Sequence, residues 1–137
     1  MGVDGRRAPV RRPAAVILLD TNAVIWLEQG HKRARPLFGE RKQLYASPAS
    51  LLELQILLEA GRIRLRGSGL AELAEHPRWL LDDPPSAAWF DEAMELGWTR
   101  DPFDRLIVAH ARLRGWRIAT SDAVMLEHLP DRQRFPI

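Results

Sequence analysis

Val16-Ile17-Leu18-Leu19-Asp20-Thr21-Asn22 decides the fold. Four apolar residues in a row, with no polar alternation, predict a short strand buried on both faces, and the Asp-Thr-Asn behind them is turn chemistry. Such a strand belongs in a parallel sheet covered by helices. Working outward, residues 23–28 read as a helix stopped by Gly30, and residues 33–42 as a second helix with Pro36 in its first turn. Residues 44–46 read as a strand, after which Ser47 caps a helix over 48–60 and Pro48 takes its first position. That helix is apolar nearly all round and is therefore either central or partner-facing. Gly61 ends it.

Further along, residues 63–66 suit a strand or a loop, Gly67-Ser68-Gly69 a break, 70–75 a short helix and 79–81 a strand. Ser86 is placed to cap a helix running to about Leu96. Asp101-Pro102 opens a helix through Arg114 with Gly115 as its stop, 116–120 is a strand, and 123–128 is a last short helix before Pro130. Strands alternating with helices throughout imply an α/β fold with a mostly parallel sheet, because parallel neighbours need helical crossovers.

The composition sets bounds on function. A chain of 137 residues is the size of one domain, and 46% hydrophobic with 28% charged residues is ordinary for a soluble globular protein. The absence of cysteine excludes disulfides, thiolate nucleophiles, iron–sulfur clusters and Cys-containing zinc sites, and is compatible with a cytoplasmic setting. The longest apolar run, residues 14–19, is too short for a membrane span of about 20 residues or a signal core of ~7–15. The sequence pI near 9.6 suggests a polyanion partner. However, residues 1–14 carry +3 of the net +2, so residues 15–137 sum to −1. The basic start reads as a flexible extension, and residues 15–137 as the single domain.

In an open α/β sheet, chemistry collects at the carboxyl ends of the strands. Two strands here end in a carboxylate beside hydroxyls: Leu19-Asp20-Thr21 and Thr120-Ser121-Asp122. Each Asp alone is explained by a cap or turn role. Asp101 and Asp104 flank Pro102 as a cap and a first-turn acid, which helix electrostatics also explains. Glu53 is harder to dismiss. Its neighbours at i±3 and i±4 are Ala49, Ser50, Ile56 and Leu57, so no helical ion pair is available and a cation or a tertiary Arg is expected. His31, His76, His110 and His128 show no metal-ligand spacing. An oxygen-only ligand set favours Mg²⁺ or Mn²⁺, which retain waters and grip phosphate oxygens. A site of that kind serves attack by water on a phosphodiester.

Four segments together resemble the PIN-domain ribonucleases, most closely the VapC-like toxins of type II toxin–antitoxin modules: residues 18–26, 47–54, 100–109 and 118–122. The resemblance implies a three-layer α/β/α fold with a roughly five-stranded sheet, and Mg²⁺- or Mn²⁺-dependent endoribonuclease activity. It assigns the catalytic acids to Asp20, Glu53, Asp104 and Asp122, with Asp20, Asp104 and Asp122 on the metal. Thr21, Asn22, Thr120 and Ser121 would orient ligands or waters. It also implies an RNA substrate, a homodimer and a cognate antitoxin. The family pattern often has His where this chain has Thr99 and Trp where it has Leu52. Arg62, Arg64 and Arg66 form a basic patch that suits RNA backbone or a solvated surface equally well.

Other classes fit less well. Aspartyl-phosphate phosphatases need a second Asp where this chain has Asn22, and receiver domains need a late Lys, whereas the lysines here are Lys32 and Lys42. No P-loop and no Gly-x-Ser-x-Gly element is present. A non-catalytic PIN-like module that binds RNA or protein remains the alternative, although all four acidic positions are filled.

Overall fold

In the computed structural model, which describes residues 15–39, 41–66 and 69–137, the opening strand β1 (Ala15–Leu19) lies at the centre of a parallel sheet. The other strands are β2 (Lys42–Ala46), β3 (Leu80–Leu81), β4 (Arg117–Thr120) and β5 (Arg134–Pro136), and the order across the sheet is β3-β2-β1-β4-β5. Ile17 is level with Leu44 on one side and Arg117 on the other, and Leu18 with Tyr45 and Ile118. Side chains alternate between the two faces. Ile17 and Leu19 accordingly enter one apolar cluster with Val24, Leu44 and Leu54, while Leu18 enters a second with Trp89, Ile107 and Ile118. All three are fully buried. Each contributes roughly 1.5–3 kcal/mol of apolar burial, which explains why this strand tolerates no polar residue.

Six helices cover the sheet: α1 (Thr21–Gln29), α2 (Pro48–Glu59), α3 (Leu70–Ala74), α4 (Ser86–Met94), α5 (Pro102–Arg114) and α6 (Ala123–His128). The glycine stops are real. Gly30 and Gly115 adopt left-handed φ of 67° and 71°, and their N–H groups return to the last turns of α1 and α5.

Two sequence expectations are corrected, one open reading is decided and one strand is added. Residues 33–42 do not form an α-helix. A 3-10 helix, Lys32–Leu37, ends just past Pro36, whose missing N–H cannot sustain an α-helical ladder. Ser86 is the first helical residue rather than the cap, which is Pro85 with no side-chain bond, and α4 stops at Met94. Residues 63–66 form a loop. The fifth strand is β5, which closes on β4 with Phe135 opposite Ala119 and stands at the sheet edge, where Pro136 is tolerated. The basic start, residues 1–14, and Gly67-Ser68 lie outside the described residues.

One buried polar link ties the sheet edge to α5. Directly after β3, the Asp82 carboxylate accepts from Arg114 Nε at 2.8 Å and lies 2.6 Å from Nε2 of the fully buried His110. Burial opposes its charge, but Arg114 and His110 overcome that and hold the carboxyl below its usual range. Burial pushes His110 down, partly opposed by Asp82. Nδ1 of His110 has no partner among the described residues, and the ring donates through Nε2 to the Asp82 carboxylate.

A native His held below the ordinary value of 6.5 binds its proton later than the unfolded chain does. The His110 contribution to stability is therefore full above pH 6.5 and declines as pH falls below it, with the Asp82 contribution lost at still lower pH. Asp82→Ala is expected to cost about 1–3 kcal/mol by stranding His110 and Arg114. Urea unfolding at pH 7.5 checks this as a shift in midpoint without a change in slope. Repeated from pH 7 to 5, the same titration should show the stability difference between the parent and His110→Gln shifting against the parent as pH falls, since the other titrating groups are common to both.

Candidate active site

Because all strands run parallel, the residues that follow β1 and β4 emerge at the same edge of the sheet. Asp20 leaves β1 and caps α1, its Oδ1 accepting from Ala23 N at 2.7 Å. Asp122 follows β4 and caps α6 through a 3.0 Å bond from Met125 N. Asp101 caps α5, accepting from Phe103 N at 2.8 Å, and Asp104 follows in the first turn of that helix. Glu53 enters from α2. These five carboxylates, with Thr21 and Asn22, surround one cleft of about 250 Å³ whose apolar walls are Leu57, Ile107 and Met125.

Hydroxyls hold two of the acids. Thr120, fully buried at the end of β4, bonds to the Asp20 carboxylate and accepts from Asp122 N at 3.0 Å, linking both strand-end acids. Thr21 Oγ donates to Glu53 Oε1 and lies 3.2 Å from Ser50 Oγ. With one proton to give, the Thr21 hydroxyl must accept from Ser50. Thr21, 32 residues earlier, is thus a partner of Glu53 that nothing in the helix of Glu53 announces. Ser50, fully buried three residues before Glu53, is a positioning group that the sequence reading passed over.

The electrostatics are dominated by burial and like charge. Asp20 is pushed up to about 6 by burial first and then by Glu53 and Asp122, against the bonds from Thr120 and Ala23. Asp104 rises to about 7, again from burial first, with Asp101, Asp122, Glu53 and Asp20 adding to it. Glu53 is raised by burial and Asp101, against the Thr21 bond. The Asp104 carboxylate accepts no hydrogen bond among the described residues, and no Lys or Arg pairs with any of these acids there.

Such a site lacks positive charge. Among the described residues no three His, Asp or Glu side chains close into a finished metal cage. The donor set is nevertheless all oxygen and half-solvated, which fits a small hard divalent cation that binds through one or two carboxylates and keeps its waters. Asp20, Asp104 and Asp122 are the candidate ligands, with Glu53 across from them.

The remaining candidates separate. Asn22 is exposed on the cleft wall, whereas Ser121 lines no part of the cleft. Arg62 follows α2 closely, its N–H donating to Leu57 O, while Arg64 and Arg66 lie elsewhere, in the loop beside the last turn of α1. There Gln29 donates to Arg64 O and Arg66 N donates to Glu28. That is the opposite end of α1 from Asp20, about 13 Å along the helix.

Comparison with known proteins agrees with this architecture. Residues 17–130 match the PIN domain. Ribonuclease VapC22 of Mycobacterium tuberculosis is 34% identical over 119 residues, spanning 82% of this chain and 91% of that protein. Two solved structures share the fold. VapBC2 from Rickettsia felis, bound to a DNA fragment from their promoter, superposes with a TM-score of 0.61 at 16% identity over 88% of this chain and 98% of that one. A toxin–antitoxin complex from Klebsiella pneumoniae superposes with 0.57 at 15% identity, covering 83% and 92%. With the parallel five-stranded sheet and the family match over most of its length, this chain belongs to the PIN-domain family.

Proposed function

We propose that this protein is a VapC-type endoribonuclease toxin that hydrolyses RNA phosphodiester bonds with Mg²⁺ or Mn²⁺ and is neutralised by a cognate antitoxin. One observation carries the reading: Asp20, Glu53, Asp104 and Asp122, from four separate segments, line a single cleft that lacks a countercharge among the described residues. The 34% identity to a ribonuclease supports the reaction class. When bound, a divalent cation supplies that countercharge and Lewis acidity toward a phosphate. Asp20, Asp104 and Asp122 would hold it.

The chain's own groups prepare the site. Thr120 and the Ala23 N–H fix Asp20, the Met125 N–H engages one oxygen of Asp122, and Thr21 aims Glu53 into the cleft. Glu53, raised by burial, is suited to exchange a proton with an attacking water. The walls of Leu57, Ile107 and Met125 limit water around the carboxylates.

Antitoxin binding and homodimerisation would use apolar surface left uncovered by the fold. Leu52 and Ile56 on α2 are 57% and 44% exposed, and Phe90 and Met94 on α4 are 51% and 74% exposed. Both pairs sit at i, i+4, so each helix offers a continuous stripe. These stripes suit a helical partner.

Purified protein should cleave RNA in Mg²⁺ or Mn²⁺, and Asp20→Asn or Asp104→Asn should lower the rate by about 100-fold or more. A variant cutting at the parental rate would refute the assignment. The cation must displace protons from acids raised to about 6 and about 7, so Mn²⁺ affinity and cleavage should climb as pH rises from 6 to 8.

Without metal the sign reverses for stability. A carboxyl titrating above its unfolded value keeps its proton longer in the native state, so stability falls as pH rises through that range. Asp104→Asn should therefore stabilise the metal-free protein at pH 8 by about 1–2 kcal/mol, allowing for solvent screening at this half-buried group. Thermal unfolding in chelator checks it. The parent should gain stability on adding Mn²⁺, and the variant should gain less.

A further inference from the structure

The acidic cleft and a second groove both draw residues from α5 and α6. On α5, Asp104 and Arg112 lie on the same side of the helix with buried Val108 between them, and α6 carries Met125 and His128, with Leu129 as its C-cap. Asp104 and Met125 line the cleft. Val108, Arg112, His128 and Leu129 line a second groove of about 340 Å³, with Trp98 and Arg132. From Asp104 to Arg112 the helix advances about 12 Å.

The groove has its own chemistry. Trp98 and His128 are stacked, with ring centroids 4.5 Å apart and planes 8° apart. His128 Nδ1 lies 2.9 Å from the carbonyl oxygen of Val124, which fixes that ring, and the residue is exposed. Its outer face can therefore take a third ring. Arg112 is spent on Glu92 at 2.8 Å and on Glu95 at 3.6 Å, and Glu95 also borders the groove. Arg132 is exposed and makes no ion pair among the described residues. A fixed aromatic stack beside an uncommitted guanidinium recognises a planar base followed by a phosphate, which is how single-stranded nucleic acid is held without sequence readout.

We infer that the α5–α6 groove is a flanking subsite for single-stranded RNA, in which a base of the substrate extends the Trp98–His128 stack and a phosphate meets Arg132, away from the bond that is cut. This rests on the ribonuclease reading above and adds a binding determinant to it. The arrangement favours unpaired RNA, because a base in a duplex has no free face to offer the stack.

Initial-rate cleavage of a labelled single-stranded RNA in Mg²⁺ tests the inference. His128→Ala should raise KM about tenfold with kcat unchanged, and His128→Phe, which keeps a stacking face, should restore KM. Arg132→Ala should flatten the dependence of log KM on log salt by about 0.7, the loss of one phosphate contact on a single strand. Arg132 is exposed and makes no ion pair among the described residues, so its variant should keep the parental thermal midpoint, and His128→Phe, which keeps the stack on Trp98, separates a lost RNA contact from a change in folding. Parental KM and salt slope in both variants would overturn the groove while leaving the nuclease intact, as would a fall in kcat alone. A parent protein that cleaves no RNA would overturn both.

Discussion

Three of the carboxylates in the cleft are also the hydrogen bonds that start helices. Asp20, Asp101 and Asp122 cap α1, α5 and α6. A cap satisfies backbone N–H groups that otherwise have no partner, typically contributing about 1 kcal/mol, and it places the negative group at the positive end of the helix dipole. Three helix N-termini therefore converge on the acidic edge of the sheet and offset part of the repulsion between the acids that cap them. For Asp122 one oxygen is engaged by its cap while the residue lines the cleft. Capping and ligand binding, which appear as competing explanations when each Asp is read alone, are satisfied by the same side chain.

The offset is incomplete, and the remainder is visible where no cap exists. Asp104 has neither a hydrogen bond nor an ion pair among the described residues, and it is the acid pushed furthest, to about 7. Asp20 is more buried yet rises only to about 6, because Thr120 and the Ala23 N–H donate to it. Burial alone therefore does not order the two groups; hydrogen-bond donors do. A fold under pressure only for stability would replace Asp104 with a neutral residue. Its retention in a cleft already crowded with negative charge is the feature that most resists a purely structural explanation.

Much of this was legible in the sequence, for local reasons. The unbroken apolar run before Asp20, the Ser47-Pro48 and Asp101-Pro102 starts and the Gly30 and Gly115 stops are short-range signals, and the corresponding elements formed within a few residues of expectation. The misses are non-local. Glu53 finds Thr21 from 32 residues away, and nothing in its own helix points to a hydroxyl rather than a cation. β5 has three residues and contains a proline, so it carries no strand signal and exists because β4 offers an open edge. Arg64 and Arg66 follow α2, the helix that bears Glu53, yet the loop carries them to the far end of α1. Proximity in sequence to a site acid was no guide there, because Glu53 is already about 9 Å from the end of α2 and the loop then runs on to α1.

α5 shows how one segment can serve the core, the site and a partner at once. Ile107, Val108, Ala109 and Ala111 are buried, while Asp104 at the first turn is half-buried in the cleft. His110, two turns along, is locked to Asp82 after β3, and Trp89 Nε1 donates to Leu106 O from α4 at 2.7 Å. Both bonds fix the rotation of α5 about its axis, and that rotation determines where Asp104 points. A helix held only by apolar packing can slide or turn at small cost, since dispersion contacts are individually weak and not directional. Two directional bonds to buried groups remove that freedom. The Asp82–His110 link is remote from the cleft, yet it sets the direction of the carboxylate on which the proposed chemistry most depends.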